Sequence, residues 1–132
     1  MRIISIFFIY VLSIVILEGC INKKSTGIVE EISSISLVGA YVGDLPCVDC
    51  DAISTVLQLG QDHSYKLTYT YDGKSSDSFV REGSWVIKKN HLVLKGLDYI
   101  YKIEPDYLVQ LDLSGQEITG ELADKYQLAK IK

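Results

Sequence analysis

Ile53-Ser54-Thr55-Val56-Leu57-Gln58-Leu59 and Tyr65-Lys66-Leu67-Thr68-Tyr69-Thr70-Tyr71 decide the fold. In the first run Ile53, Thr55, Leu57 and Leu59 alternate with Ser54, Val56 and Gln58; in the second the four apolar positions alternate with Lys66, Thr68 and Thr70. Successive side chains of a strand point to opposite faces, so a period of two predicts half-buried β-strands. Gly60-Gln61-Asp62-His63 between them is a turn signal. Two such runs so joined read as an antiparallel hairpin.

The same pattern continues outward. Phe79, Gly83, Trp85 and Ile87 share a parity, which Arg81 interrupts; Tyr99, Tyr101 and Ile103 form another set, and Tyr107, Val109 and Leu111 a third. Asp72-Gly73-Lys74, Lys89-Asn90-His91, Glu104-Pro105-Asp106 and Ser114-Gly115-Gln116 punctuate them. The expected fold is all-β: seven or eight short strands in a small antiparallel meander. Curling into a barrel removes the exposed edges of such a sheet. Gly39, Gly43, Gly83 and Gly120 are expected at its bends. Tyr, Leu, Ile and Trp85 would line the interior. A barrel of this size is either filled by side chains or holds one small ligand; strands this short favour a mostly filled one.

The chain has 132 residues, enough for one domain, and a formal net charge of −4. No basic run exceeds a pair, which argues against a nucleic-acid partner. Nine tyrosines and two prolines agree with a sheet-rich body. Met1-Arg2 followed by the apolar run of residues 3–17 has the form of an export signal, and is short of the ~20 residues of a membrane span. Leu17-Glu18-Gly19-Cys20 resembles a bacterial lipobox, with Glu18 in place of the favoured small residue. We therefore expect a lipoprotein signal peptide over 1–19, a lipidated tether over 20–36 and a β-barrel domain over 37–132. Cys20 would carry the lipid. A short helix over 28–32 in the tether would have no partner face.

Cys47 and Cys50 lie in Leu45-Pro46-Cys47-Val48-Asp49-Cys50. Three readings of this pair stay open. An oxidising compartment favours a structural disulfide. Redox work needs a thiol of lowered pKa, whereas Asp44, Asp49 and Asp51 supply negative charge that disfavours a thiolate. The segment after Cys50 reads as a strand, without a helix dipole. That places a thioredoxin-like oxidoreductase last and leaves slow redox sensing. Two thiolates also suit Cu(I), but His63 and His91, the only histidines, fall in predicted turns. No nucleophile elbow, zinc-protease motif or phosphate loop is present, and no enzyme is expected.

Gly39-x-Tyr41-x-Gly43-x-Leu45-Pro46-Cys47-x-Asp49-Cys50, continued by Ile53-x-Thr55-x-Leu57-x-Leu59, resembles the N-terminal domain of the NlpE-type copper-resistance lipoproteins. Tyr65-x-Leu67, Tyr71, Gly83-x-Trp85, Asn90-x-Leu92-x-Leu94 and Leu122-Ala123-Asp124-x-Tyr126-x-Leu128 extend the likeness across residues 39–130. The resemblance implies a lipocalin-like β-barrel on a lipid anchor, most naturally in the outer membrane. It implies a role in copper tolerance or in reporting envelope stress to a sensor kinase or another envelope protein. In that family the Cys-x-x-Cys pair is the proposed metal or redox element, and it maps onto Cys47 and Cys50. The lipid-bearing cysteine maps onto Cys20. No cofactor is expected beyond copper, as Cu(I). Ala52 stands where the family usually has glycine. The enterobacterial members carry a second, C-terminal domain, so signalling that depends on it is not expected of these 132 residues. The alternative function is a lipocalin-like carrier of a small apolar ligand, which would need a cavity beneath Trp85 and the tyrosines.

Overall fold

The computed structural model describes residues 34–132. The expected leader, the lipid site Cys20, the helix over 28–32 and all but the end of the tether lie outside the described residues. A four-residue helical turn, α1 (Ser34–Leu37), leads into eight strands: β1 (Gly39–Leu45), β2 (Ala52–Leu59), β3 (Ser64–Asp72), β4 (Ser78–Lys88), β5 (His91–Leu94), β6 (Tyr99–Ile103), β7 (Tyr107–Gln110) and β8 (Gln127–Lys130). A 3-10 turn, Ala123–Lys125, precedes β8. Each strand pairs antiparallel with the next, and β8 returns to β1 to close the barrel. The expected closed antiparallel meander is what forms.

The two runs that announced the hairpin pair along their whole length, from Ala52 against Asp72 to Leu59 against Tyr65. Every strand sends at least one apolar side chain inward. Tyr41, Leu57, Leu67, Trp85, Leu92, Tyr101, Leu108 and Leu128 are all nearly inaccessible to solvent. Leu37 of α1 joins them, and its carbonyl accepts a 2.9 Å hydrogen bond from the Tyr41 hydroxyl. Trp85 is stacked on His63 with ring centroids 4.3 Å apart, and its backbone N–H donates to the His63 carbonyl. Burial of large apolar side chains at roughly 2 kcal/mol each is the main drive to fold. Lys89 and Asn90 both have positive φ between β4 and β5, the conformation that matches a two-residue turn to the twist of its strands.

Two glycines within the strands are dictated by close approach. A Cβ on Gly43 would collide with the Gln127 carbonyl oxygen and with Leu128, so β1 can lie against β8 only without a side chain there. A Cβ on Gly83 would meet the Tyr65 ring at 2.9 Å; the ring lies across the bare backbone of the neighbouring strand. Gly120 differs from expectation: it lies outside the strands, in the loop before the 3-10 turn, with open space where a side chain would be.

Two further expectations are corrected. In β7 the inward phase is Leu108 and Gln110, because their register partners across β6 are the inward-facing Ile103 and Tyr101. Tyr107 is exposed, Leu108 is fully buried, and Leu111 leaves the strand to bridge Glu117. The parity of Tyr107 and Val109 is the more uniformly apolar, so alternation alone selects the wrong face. In β4, Arg81 does share the face of Trp85. The half from Ser78 to Ser84 pairs with β3, while β5 runs from His91 opposite Lys88 only as far as Leu94 opposite Trp85, so Phe79 and Arg81 stay exposed.

Gly43→Val should lower stability by about 1–3 kcal/mol or more, the usual cost of forcing atoms into filled space, read as an earlier urea midpoint with an unchanged slope. The loop carboxylates set an acid limit. The Asp112 carboxylate accepts from the Ser114 hydroxyl (2.6 Å) and from the backbone N–H groups of Gln116 and Ser114 (both 2.9 Å), which hold it below the usual range. Asp62 is held down likewise by the hydroxyl and N–H of Ser64. A carboxyl that binds its proton less readily when folded contributes stability above its unfolded pKa, about 3.9, and loses it as pH falls through the folded value. The thermal midpoint should therefore drop as pH falls from about 4 towards 2, and Asp112→Ala should flatten part of that drop in melts followed by circular dichroism.

Candidate functional site

β1 ends at Leu45, Pro46 halts the ladder, and β2 resumes at Ala52. The six residues between form a loop on one rim of the barrel. Leu45 pairs with Ile53 at its base, and the Asp51 N–H donates to the Asp72 carbonyl at 2.8 Å. Cys47 and Cys50 form a disulfide across it, with Cα atoms 5.4 Å apart. Both are partly exposed, and Val48 at the tip is wholly in solvent. Ala52 is not among the residues with positive φ, so alanine fits here without strain.

The loop is tied to the β3–β4 turn. Asp49 forms an ion pair with Lys74, whose hydrogen bond and charge hold the Asp49 carboxyl below its ordinary range and raise the Lys74 ammonium. Both side chains are largely exposed, so the pair fixes loop position more than it stabilises the fold. The Asp51 carboxylate fills the space a side chain on Gly73 would need. On the rim beside the loop, the Ser54 hydroxyl lies between the carboxylates of Asp44 and Asp72. The surroundings remain acidic despite Lys74, and a strand, not a helix N-terminus, follows Cys50. Neither feature activates a thiolate.

The Cys47 and Cys50 sulfurs and an Asp49 carboxylate oxygen lie within 4.8 Å of one another. Among the described residues this is the only such ligand group, and no histidine joins it. In the disulfide the sulfurs offer no thiolate to a metal. Reduction by two electrons and two protons would yield two thiols, and two thiolates suit Cu(I); the hard Asp49 oxygen does not. The residues therefore fit Cu(I) only in their reduced form.

Sequence reasoning placed the two cysteines in one loop and recognised its acidic flanks. It missed Lys74, which lies 25 residues from Asp49 and is brought there by the β2–β3 register. It also missed Gln110, a polar residue facing the interior, for which the register partner Tyr101 was the only signal. Beneath the loop the barrel holds a cavity of ≈ 180 Å³ lined by Leu45, Pro46, Gln110 and several tyrosines. Trp85 is not on its wall; it belongs to the filled end of the barrel.

The NlpE N-terminal domain family matches residues 41–121. The chain belongs to this family. Lipoprotein NlpE of Escherichia coli is 30% identical over 119 residues, covering 84% of this chain and 50% of the relative. The chain thus spans about half the length of that curated relative. A crystal structure of a lipoprotein from Shewanella oneidensis superposes with a TM-score of 0.65 at 36% identity, over 70% of this chain and 87% of the other. The crystal structure of the Cpx pathway activator NlpE from Escherichia coli gives 0.56 at 31% identity, over 63% of this chain and 46% of the other. The family match includes Cys47 and Cys50 and excludes Cys20.

Closing so short a ring restrains the unfolded chain by about 2 kcal/mol on the loop-entropy view. Reduction with a phosphine should lower the unfolding free energy by about that much, read as an earlier urea midpoint, and leave the far-ultraviolet spectrum unchanged, since the loop hangs from strands paired elsewhere.

Proposed function

We propose that this protein is a non-enzymatic envelope lipoprotein whose Cys47–Cys50 loop acts in stress reporting, copper tolerance or both. The observation that carries this reading is a partly exposed disulfide in a short loop on the rim of a rigid barrel. Such a disulfide is open to reductant and can change the loop without unfolding the barrel. Support comes from the relatives: one is named a lipoprotein and one a Cpx pathway activator. The lipobox-like Leu17-Glu18-Gly19-Cys20 agrees. On this reading residues 1–19 are the leader, 20–36 a tether lipidated at Cys20, and 37–132 the working domain. The anchor holds the protein in the cell envelope, most naturally in the outer membrane. A sensor kinase or another envelope protein is the partner.

Reduction converts the disulfide to two thiols and adds two protons. Binding Cu(I) between the sulfurs then releases protons, because the thiolate is the ligand. The ion pair to Lys74 holds Asp49 and so orients the loop in the oxidised state.

Cys47→Ser with Cys50→Ser should fold to the same barrel, bind no Cu(I) after reduction, and lose the envelope-stress response or the growth advantage in copper. Cu(I) competition titration and a stress reporter measure the two outputs. If the double variant matches the wild type in both, the pair is a structural staple and this function is lost as an explanation.

A further inference from the structure

The barrel is filled at one end and open at the other. Trp85, Leu59 and Leu37 occupy the α1 end. Towards the Cys47–Cys50 rim the interior keeps the ≈ 180 Å³ cavity, walled by Leu45, Ile53, Leu67, Tyr69, Tyr101 and Gln110. No charged side chain lines it. The Gln110 side-chain oxygen is buried and has no hydrogen-bond partner among the described residues. The Trp85 indole N–H shares that state, but it lies in the filled end, off the cavity wall. Three interior hydroxyls have partners: Thr55 donates to the Ile53 carbonyl at 3.0 Å, Tyr65 to the Lys95 carbonyl at 2.8 Å and Tyr41 to the Leu37 carbonyl at 2.9 Å. A buried acceptor left unpaired is unfavourable, and each such group in a native barrel asks for a reason.

We propose that this cavity is a binding site for a small, uncharged aromatic molecule that donates one hydrogen bond to Gln110. Size, walls and the unpaired Gln110 acceptor each restrict the ligand. An apolar cavity of about 150 Å³ accepts one benzene ring, so ≈ 180 Å³ accommodates one ring with a small substituent. Aliphatic and tyrosine side chains favour a flat apolar face. The absence of a lining cation or anion excludes a charged ligand, whose desolvation would go uncompensated. Burial keeps the neighbouring Tyr101 phenol protonated by raising its pKa far above the ordinary value, so the site stays neutral across physiological pH. This deepens the carrier alternative and does not depend on the chemistry of the disulfide.

Phenol and toluene are the probes, since they match in size and differ in the donor. The full-length chain in detergent micelles is titrated with each, and backbone amide shifts are followed. Wild type should give saturable shifts at Leu45, Ile53, Tyr101 and Gln110, and bind phenol at least as tightly as toluene although toluene is more apolar. Gln110→Leu should reverse the preference roughly tenfold, the usual worth of one buried hydrogen bond. Absence of saturable phenol binding, or the same phenol-to-toluene ratio in both proteins, would overturn the proposal. Should Gln110→Leu fail to fold, the wild type alone decides: tighter binding of toluene than of phenol overturns it. No copper or stress output enters this measurement, so its result is separable from the function proposed above.

Discussion

The contact of β1 with β8 is the constraint on which the rest depends. The ladder pairs Tyr41 with Lys130 and Val42 with Ala129, and one further hydrogen bond, from the Ile131 N–H to the Ala40 carbonyl at 2.8 Å, extends it. Just beyond these pairs Gly43 passes the Gln127 carbonyl with no room for a side chain. Without this seam the meander would be an open sheet with two free edges and a solvated apolar face. With it, one alternation of side chains is committed to the interior around the whole circumference. The core, the cavity and the rim loop all follow from that commitment.

Closure also explains why the two ends of so small a barrel differ. At the α1 end Leu37, Leu59 and Trp85 meet, and His63 stacks on the indole. At the other end the first half of β4 extends beyond the end of β5 at Leu94, and the wall is thin. The tyrosines there reach inward without filling the volume. The disulfide loop, tied by the Asp51 N–H and by the Asp49–Lys74 pair, is mounted over this less crowded half. Packing thus holds the frame while leaving the rim free to carry chemistry.

Much of the fold was legible in the sequence because period two survives even when individual residues break it. The β2–β3 hairpin could be read because one parity in each strand was clearly apolar. β7 could not, since Tyr107 and Val109 on one face looked better than Leu108 and Gln110 on the other. Register across β6, a long-range property, decided it. Arg81 looked like an error of pattern and proved to mark where the wall loses its cover. At the rim, the cysteines and their acidic flanks were visible because they are adjacent in the chain. Lys74 was not, since its meeting with Asp49 is made by strand pairing. The Gln110 oxygen was invisible for the same reason: a glutamine declares its environment only once its neighbours are placed.

Lys130 reaches across the seam to the Ser36 carbonyl, 2.6 Å from its ammonium, while its backbone N–H is held by Asp106. The chain preceding the barrel therefore enters beside the strand that closes it, at the end of β1 remote from the disulfide by roughly 20 Å, at about 3.3 Å per residue. A pull on the N-terminal segment would load α1 and the Gly39 end of β1 first and peel the seam residue by residue. The paired length of β1 lies between that entry point and the disulfide rim.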